Sequence, residues 1–164
     1  MIMENTKLVD VSAEEAKTRG RYKYVCVVLQ YDGPKLDKNK LTDVVRTLEG
    51  SNAAAKKQYN MRMVAGELST ALSGEEARGT HHRYHLPTDL SSTFVAGFEH
   101  NAVTPLGMTT PMPLLLSEPL QALPDVWLGG GEPDLKLRVD VAQFVACFEK
   151  SWTGLPIRFA DVVG

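Results

Sequence analysis

The run Tyr22-Lys-Tyr-Val-Cys-Val-Val-Leu-Gln-Tyr31 constrains the fold most. Its β-branched and aromatic side chains suit a pleated, buried surface, so it reads as a central strand. Asp32-Gly33-Pro34 closes it with turn chemistry. Asp37 then caps a helix that places Leu41, Val44, Val45 and Leu48 on one face, with Gly50 just past its end. Tyr59, Met61 and Met63 alternate as a short edge strand within 56–64, and a short helix around 67–72 ends at Ser73-Gly74.

Residues 74–93 break the pattern. Acidic, basic, histidine, proline and glycine residues mix there without periodicity, which predicts a surface loop of insertion length. Pro113-Leu-Leu-Leu-Ser117 reads as a strand, and Ser117 is placed to cap a short helix with Pro119 in its first turn. Val126-Trp-Leu128 runs into Gly129-Gly130-Gly131, and Leu135-Lys-Leu-Arg-Val139 alternates as its pairing partner. Asp140-x-x-Gln143 is a capping box for a helix with Val141, Phe144, Val145 and Phe148 facing inward. Pro156-Ile-Arg-Phe159 adds a last strand. Short strands in mixed order, outnumbering the helices, predict an α+β domain.

At 164 residues the chain has the size of one domain, and such a length buries about two-thirds of its unfolded surface without a disulfide or metal. Cys26 and Cys147 both sit in apolar runs, where a thiol behaves as a small hydrophobe. The N-terminus has acid where a signal peptide needs an apolar core, and no apolar run approaches the ~20 residues of a membrane span. A cytoplasmic protein without a membrane segment is expected. The net charge of −2 argues against nucleic-acid binding by bulk electrostatics alone. Charge is uneven, however: residues 1–62 hold 12 basic and 8 acidic side chains, residues 63–164 hold 6 and 12. Lys17, Arg19, Arg21, Lys23, Lys35, Lys38 and Lys40 form either a solvated surface or a basic rim that contacts phosphate.

Candidate chemistry is sparse. His81, His82 and His85 could clasp zinc, but no helix or cysteine pair fixes their geometry, and a polar loop is the reading preferred; no metal site or cofactor is expected. There is no nucleophile elbow, Walker A loop or dinucleotide fingerprint. Gly129-Gly130-Gly131 either lets a ligand approach main-chain N–H groups closely or forms a tight turn between strands. The second notable segment is Gly97-Phe-Glu-His-Asn-Ala-Val-Thr-Pro-Leu-Gly107.

The ordered set His100-Asn-Ala-Val-Thr-Pro-Leu-Gly107, Pro113-Leu-Leu-Leu-Ser-Glu118 and Val126-Trp-Leu-Gly-Gly-Gly-Glu-Pro-Asp-Leu-Lys-Leu137 resembles the YbaK/EbsC family. This is the prolyl-tRNA-synthetase-associated editing domain, and the likeness is greatest to its eukaryotic branch. Lys35-Leu-Asp with the helix after it, Phe159-Ala-Asp-Val162 and Met1-Ile-Met-Glu-Asn-Thr as a first core strand extend the resemblance over most of the chain, 74–93 excepted. It implies one YbaK-like domain spanning 1–164, with a bent, mixed, mostly antiparallel sheet flanked by short helices.

The implied activity is hydrolysis of mischarged aminoacyl-tRNA, chiefly alanyl- or cysteinyl-tRNA for proline. The implied partners are the tRNA acceptor end and a prolyl-tRNA synthetase or fused synthetase domain. The family's Gly-x-x-x-Pro loop falls on Asn101, Ala102, Val103, Thr104 and Pro105, beside His100, with Asn101 replacing the glycine. Its glycine-rich loop falls on Gly129, Gly130 and Gly131, and the polar position beyond it on Lys136. A family lysine that precedes the first strand has no counterpart here, because Met1 already lies in that strand. The alternative is therefore a catalytically degenerate or truncated adaptor that binds tRNA or a synthetase.

Ester hydrolysis on a tRNA needs an oriented water and donors for the developing oxyanion, with no nucleophilic side chain required. The N–H groups of Gly130 and Gly131 are expected to supply those donors. Pocket volume set by Val103, Thr104 and Pro105 is expected to select the amino acid, a difference of ~1–3 kcal/mol per methylene.

Overall fold

The computed structural model describes residues 1–8, 18–64, 104–108, 110–132, 134–151 and 154–164. They belong to two compact units, one formed by Met1–Val64, Pro111–Val126 and Arg138–Gly164, the other by Ala65–Thr110 and Trp127–Leu137. The expected 67–72 helix and the 74–93 loop, with His81, His82 and His85, lie outside the described residues.

The first unit is built on a five-stranded sheet. In chain order its strands are β1 (Ile2–Asn5), β2 (Tyr24–Val28), β3 (Met61–Met63), β4 (Leu114–Ser117) and β7 (Ile157–Ala160). Their spatial order is β3-β1-β2-β4-β7, which makes β2 the central strand as its composition predicts. β1 pairs antiparallel with β2 and β3, whereas β2–β4 and β4–β7 are parallel. The class is α+β with a mixed sheet. The parallel pairs require long crossovers, and a strand in such a pair is covered on both faces, so every residue of β4 is buried.

Helix α1 (Lys38–Glu49) begins as predicted. Asp37 accepts hydrogen bonds from the N–H groups of Asn39 and Lys40 at 2.7 and 3.1 Å, and Gly50 ends the helix at φ 55°. Leu41 and Val45 pack with Met3, Val25, Val27, Tyr59, Met61, Leu115 and Val162, while Val44 and Leu48 lie half-buried against that core. Helix α2 (Val141–Ser151) receives its cap from Asp140, whose carboxylate accepts the Gln143 N–H at 2.8 Å. Its Phe144 and Phe148 rings meet at 4.9 Å. Among the described residues no helix is long and apolar enough to cross a membrane.

Three local expectations are corrected. Ser117 precedes a short 3-10 helix, Glu118–Ala122, but makes no capping bond; its hydroxyl is buried with no partner among the described residues. Met63 is 68% exposed although it alternates with buried Met61, because β3 is a three-residue edge strand and covers its own end poorly. Cys26 is buried in β2, as expected, but Cys147 is exposed on α2, and no disulfide joins them.

Tyr24 faces Glu4 across the β1–β2 ladder. Burial, reinforced by the Glu4 carboxylate, pushes its hydroxyl up to about 12. Below pH ~10 folded and unfolded chains both keep the proton; above it the unfolded chain ionises first, so stability is lost as pH rises towards ~12. The loss amounts to roughly 2–3 kcal/mol. A urea midpoint that is flat to pH ~9.5 and falls above ~10 is expected, with a shallower fall in Tyr24→Phe. An equally steep fall in that variant would exonerate Tyr24.

Candidate functional site

Strands β5 (Asp125–Gly129) and β6 (Lys136–Asp140) form a separate two-stranded sheet. Arg138 and Asp125 tie the strands together at 2.6 Å, and this pairing holds the Asp125 carboxyl below its ordinary range. The glycine segment is the turn between the strands. Gly130 donates its N–H to the Leu135 carbonyl at 2.9 Å, and Leu135 donates to Glu132 at 3.1 Å, which closes the turn on itself.

That bond corrects one expectation. The Gly130 N–H is consumed by the turn and is not available to an oxyanion. Gly130 is required for packing instead, since a Cβ there would stand 2.5 Å from Leu135 Cγ. Gly131 differs: its φ of 95° is one that side chains other than glycine's rarely tolerate. Among the described residues no carbonyl accepts its N–H. Gly129 ends β5 half-buried, and Lys136 opens β6 exposed to solvent.

The Thr-Pro loop is described only in part. His100, Asn101, Ala102 and Val103 lie outside the described residues. Thr104 and Pro105 are both buried, and Thr104 Oγ1 accepts the Leu106 N–H at 3.3 Å, which turns that hydroxyl back onto its own loop. Thr104, Pro105 and the glycine turn belong to the same compact unit.

Sequence reasoning passed over Trp127 as a functional residue. Two positions before Gly129 on β5, it is 68% exposed while neighbouring Leu128 is buried. The alternation of a strand puts Trp127 and Gly129 on one face. The signal was available: a Trp-Leu pair in a short strand exposes one of its two large side chains.

No family model matches the chain, and no curated protein matches it. Several solved structures do, two of them as follows. One comes from work on epitope backbone grafting by computational design onto scaffold proteins: 20% identity, TM-score 0.53, covering 84% of this chain and 65% of that one. The other is the crystal structure of a candidate trans-editing enzyme for prolyl-tRNA synthetase: 19% identity, TM-score 0.52, covering 96% of this chain and 84% of that one. The likeness is one of fold. The chain spans just under two-thirds of the first structure's length.

Proposed function

We propose that this chain hydrolyses the ester of a mischarged aminoacyl-tRNA, with alanyl- or cysteinyl-tRNA for proline as the substrate class. The observation that carries this reading is the fold shared over 96% of the chain with the candidate trans-editing enzyme. The glycine turn adds chemical support. Its Gly131 N–H is the donor assigned to the developing oxyanion, with Gly129 letting the terminal ribose approach the main chain. Lys136, first in β6, contributes the polar group beyond the turn. Thr104 and Pro105 are assigned to the amino-acid pocket, the role that the resemblance also gives His100, Asn101, Ala102 and Val103. Trp127 offers its exposed indole to the terminal base, a stacking contact of the kind worth ~1–3 kcal/mol. No metal or cofactor takes part, and the protein works in the cytoplasm on tRNA delivered free or from a prolyl-tRNA synthetase.

The deciding experiment is deacylation of alanyl-, cysteinyl- and seryl-tRNA by the chain as it stands. Turnover of at least one, with prolyl-tRNA left intact, is the expected result. Absence of turnover at high protein concentration, with tRNA binding retained, would replace the hydrolase by an adaptor.

A further inference from the structure

Of the basic side chains grouped along the sequence, Lys17 lies outside the described residues. Lys40 is held by Asp161 at 2.8 Å and by the Val163 carbonyl, and Lys23 lies over the Tyr24 ring. Arg21 instead meets two lysines from elsewhere. Among the described residues, Lys7, Arg21, Lys57 and Gln58 line a cleft of about 460 Å³ in the first unit, three cations with no carboxylate among them.

Buried polar groups hold these walls in place. Asn5 is fully buried; its Oδ1 accepts the backbone N–H groups of Lys7 and Asn60 at 3.2 and 3.0 Å, and its Nδ2 donates to the Gln58 carbonyl at 3.4 Å. One amide thereby pins the backbones that carry Lys7 and Gln58, and with it neighbouring Lys57. Behind Arg21, the buried Glu49 carboxylate accepts from the Tyr22 N–H at 2.9 Å and from the Tyr59 hydroxyl. The Arg21 guanidinium lies 5.9 Å from the Tyr59 ring centroid, and its buried Nε faces the Glu49 carboxylate at 3.9 Å, an ion pair beyond hydrogen-bond distance.

We infer that this cleft binds a backbone phosphate of RNA. Choosing RNA over other phosphate carriers rests on the editing reading; the cation arrangement does not. A guanidinium anchored behind by a carboxylate and an aromatic ring presents its donors to a phosphodiester, and two lysines supply point charge. Such contacts position the nucleic acid without reading its sequence.

The test is binding of an uncharged RNA hairpin at several salt concentrations by the full chain and its Lys7→Ala/Lys57→Ala variant. Removing the two lysines is expected to flatten the salt slope of log K by about one per lysine. The variant's deficit should then shrink roughly tenfold between about 50 and 200 mM salt, for hairpins of unrelated sequence alike. Lys56→Ala is the comparison, because Lys56 is already paired with Asp43 at 2.7 Å and should leave the slope nearly unchanged. Equal effects of Lys56→Ala and Lys57→Ala would overturn the cleft in favour of diffuse charge. No RNA binding, or binding of inorganic phosphate alone, would overturn it too. Because the hairpin carries no amino acid, RNA binding that depends on Lys7 and Lys57 without any deacylation would sink the editing reading and leave the cleft standing.

Discussion

Gly131→Ala is expected to lower deacylation of alanyl-tRNA by on the order of 10²–10³-fold, the cost of losing one oxyanion donor. Alanine disfavours a φ of 95°, so the turn must rotate locally and carry the Gly131 N–H away from its target. The effect on stability should be small by comparison, because Arg138 and Asp125 still join the two strands. Gly130 supplies the control. Gly130→Ala alone drives a Cβ into Leu135, whereas Gly130→Ala with Leu135→Ala removes the atoms it would strike. The double variant should keep most of the activity, since the Gly130 N–H serves the turn and not the substrate. Single-turnover rates on alanyl-tRNA for the three variants, with melting temperatures alongside, separate the two glycines. Wild-type rates in Gly131→Ala would remove the turn from the chemistry.

The residues most legible in the sequence are those whose local chemistry has one use. Asp37 and Gly50 bracket α1 because a carboxylate satisfies free N–H groups at one end and glycine accepts a positive φ at the other. The ten-residue run around Cys26 supplies the central strand because its side chains fit nothing else well. Failures occur where a partner far along the chain decides. Cys147 lies in an apolar stretch, yet at helical spacing Phe144 and Phe148 take the inner face and Cys147 falls outside it. Lys7, Arg21 and Lys57, far apart in sequence, meet through turns organised by Asn5 and Glu49. Adjacent glycines suggested similar donors at Gly130 and Gly131; the hairpin spends the Gly130 N–H, packs the same residue's α-carbon against Leu135 and leaves the Gly131 N–H. Glycine in sequence states conformational freedom but not where the N–H points.

Glu49 is the residue whose loss should cost the fold most among single polar substitutions. A carboxylate in the last turn of a helix faces the negative end of the helix dipole, and here its side chain is 0% exposed. Such a charge persists only because donors surround it: the Tyr59 hydroxyl, the Tyr22 N–H and, at longer range, Arg21. Burial, and then the bond to Glu49, hold the Tyr59 hydroxyl above its ordinary ionisation range. Glu49→Ala leaves the Tyr22 N–H and the Tyr59 hydroxyl without their acceptor and Arg21 without its counter-charge, for an expected loss of about 3–5 kcal/mol. That is a large share of the ~5–15 kcal/mol that stabilises a typical domain. Tyr59→Phe should cost less, about 1–3 kcal/mol, although it also orphans the Ala54 N–H that the hydroxyl accepts at 2.9 Å. Urea unfolding should show the midpoint falling in that order at an unchanged slope. A loss below ~1 kcal/mol for Glu49→Ala would mean that Glu49 behaves as an exposed ion pair. The Arg21 wall of the cleft would then have no rigid support.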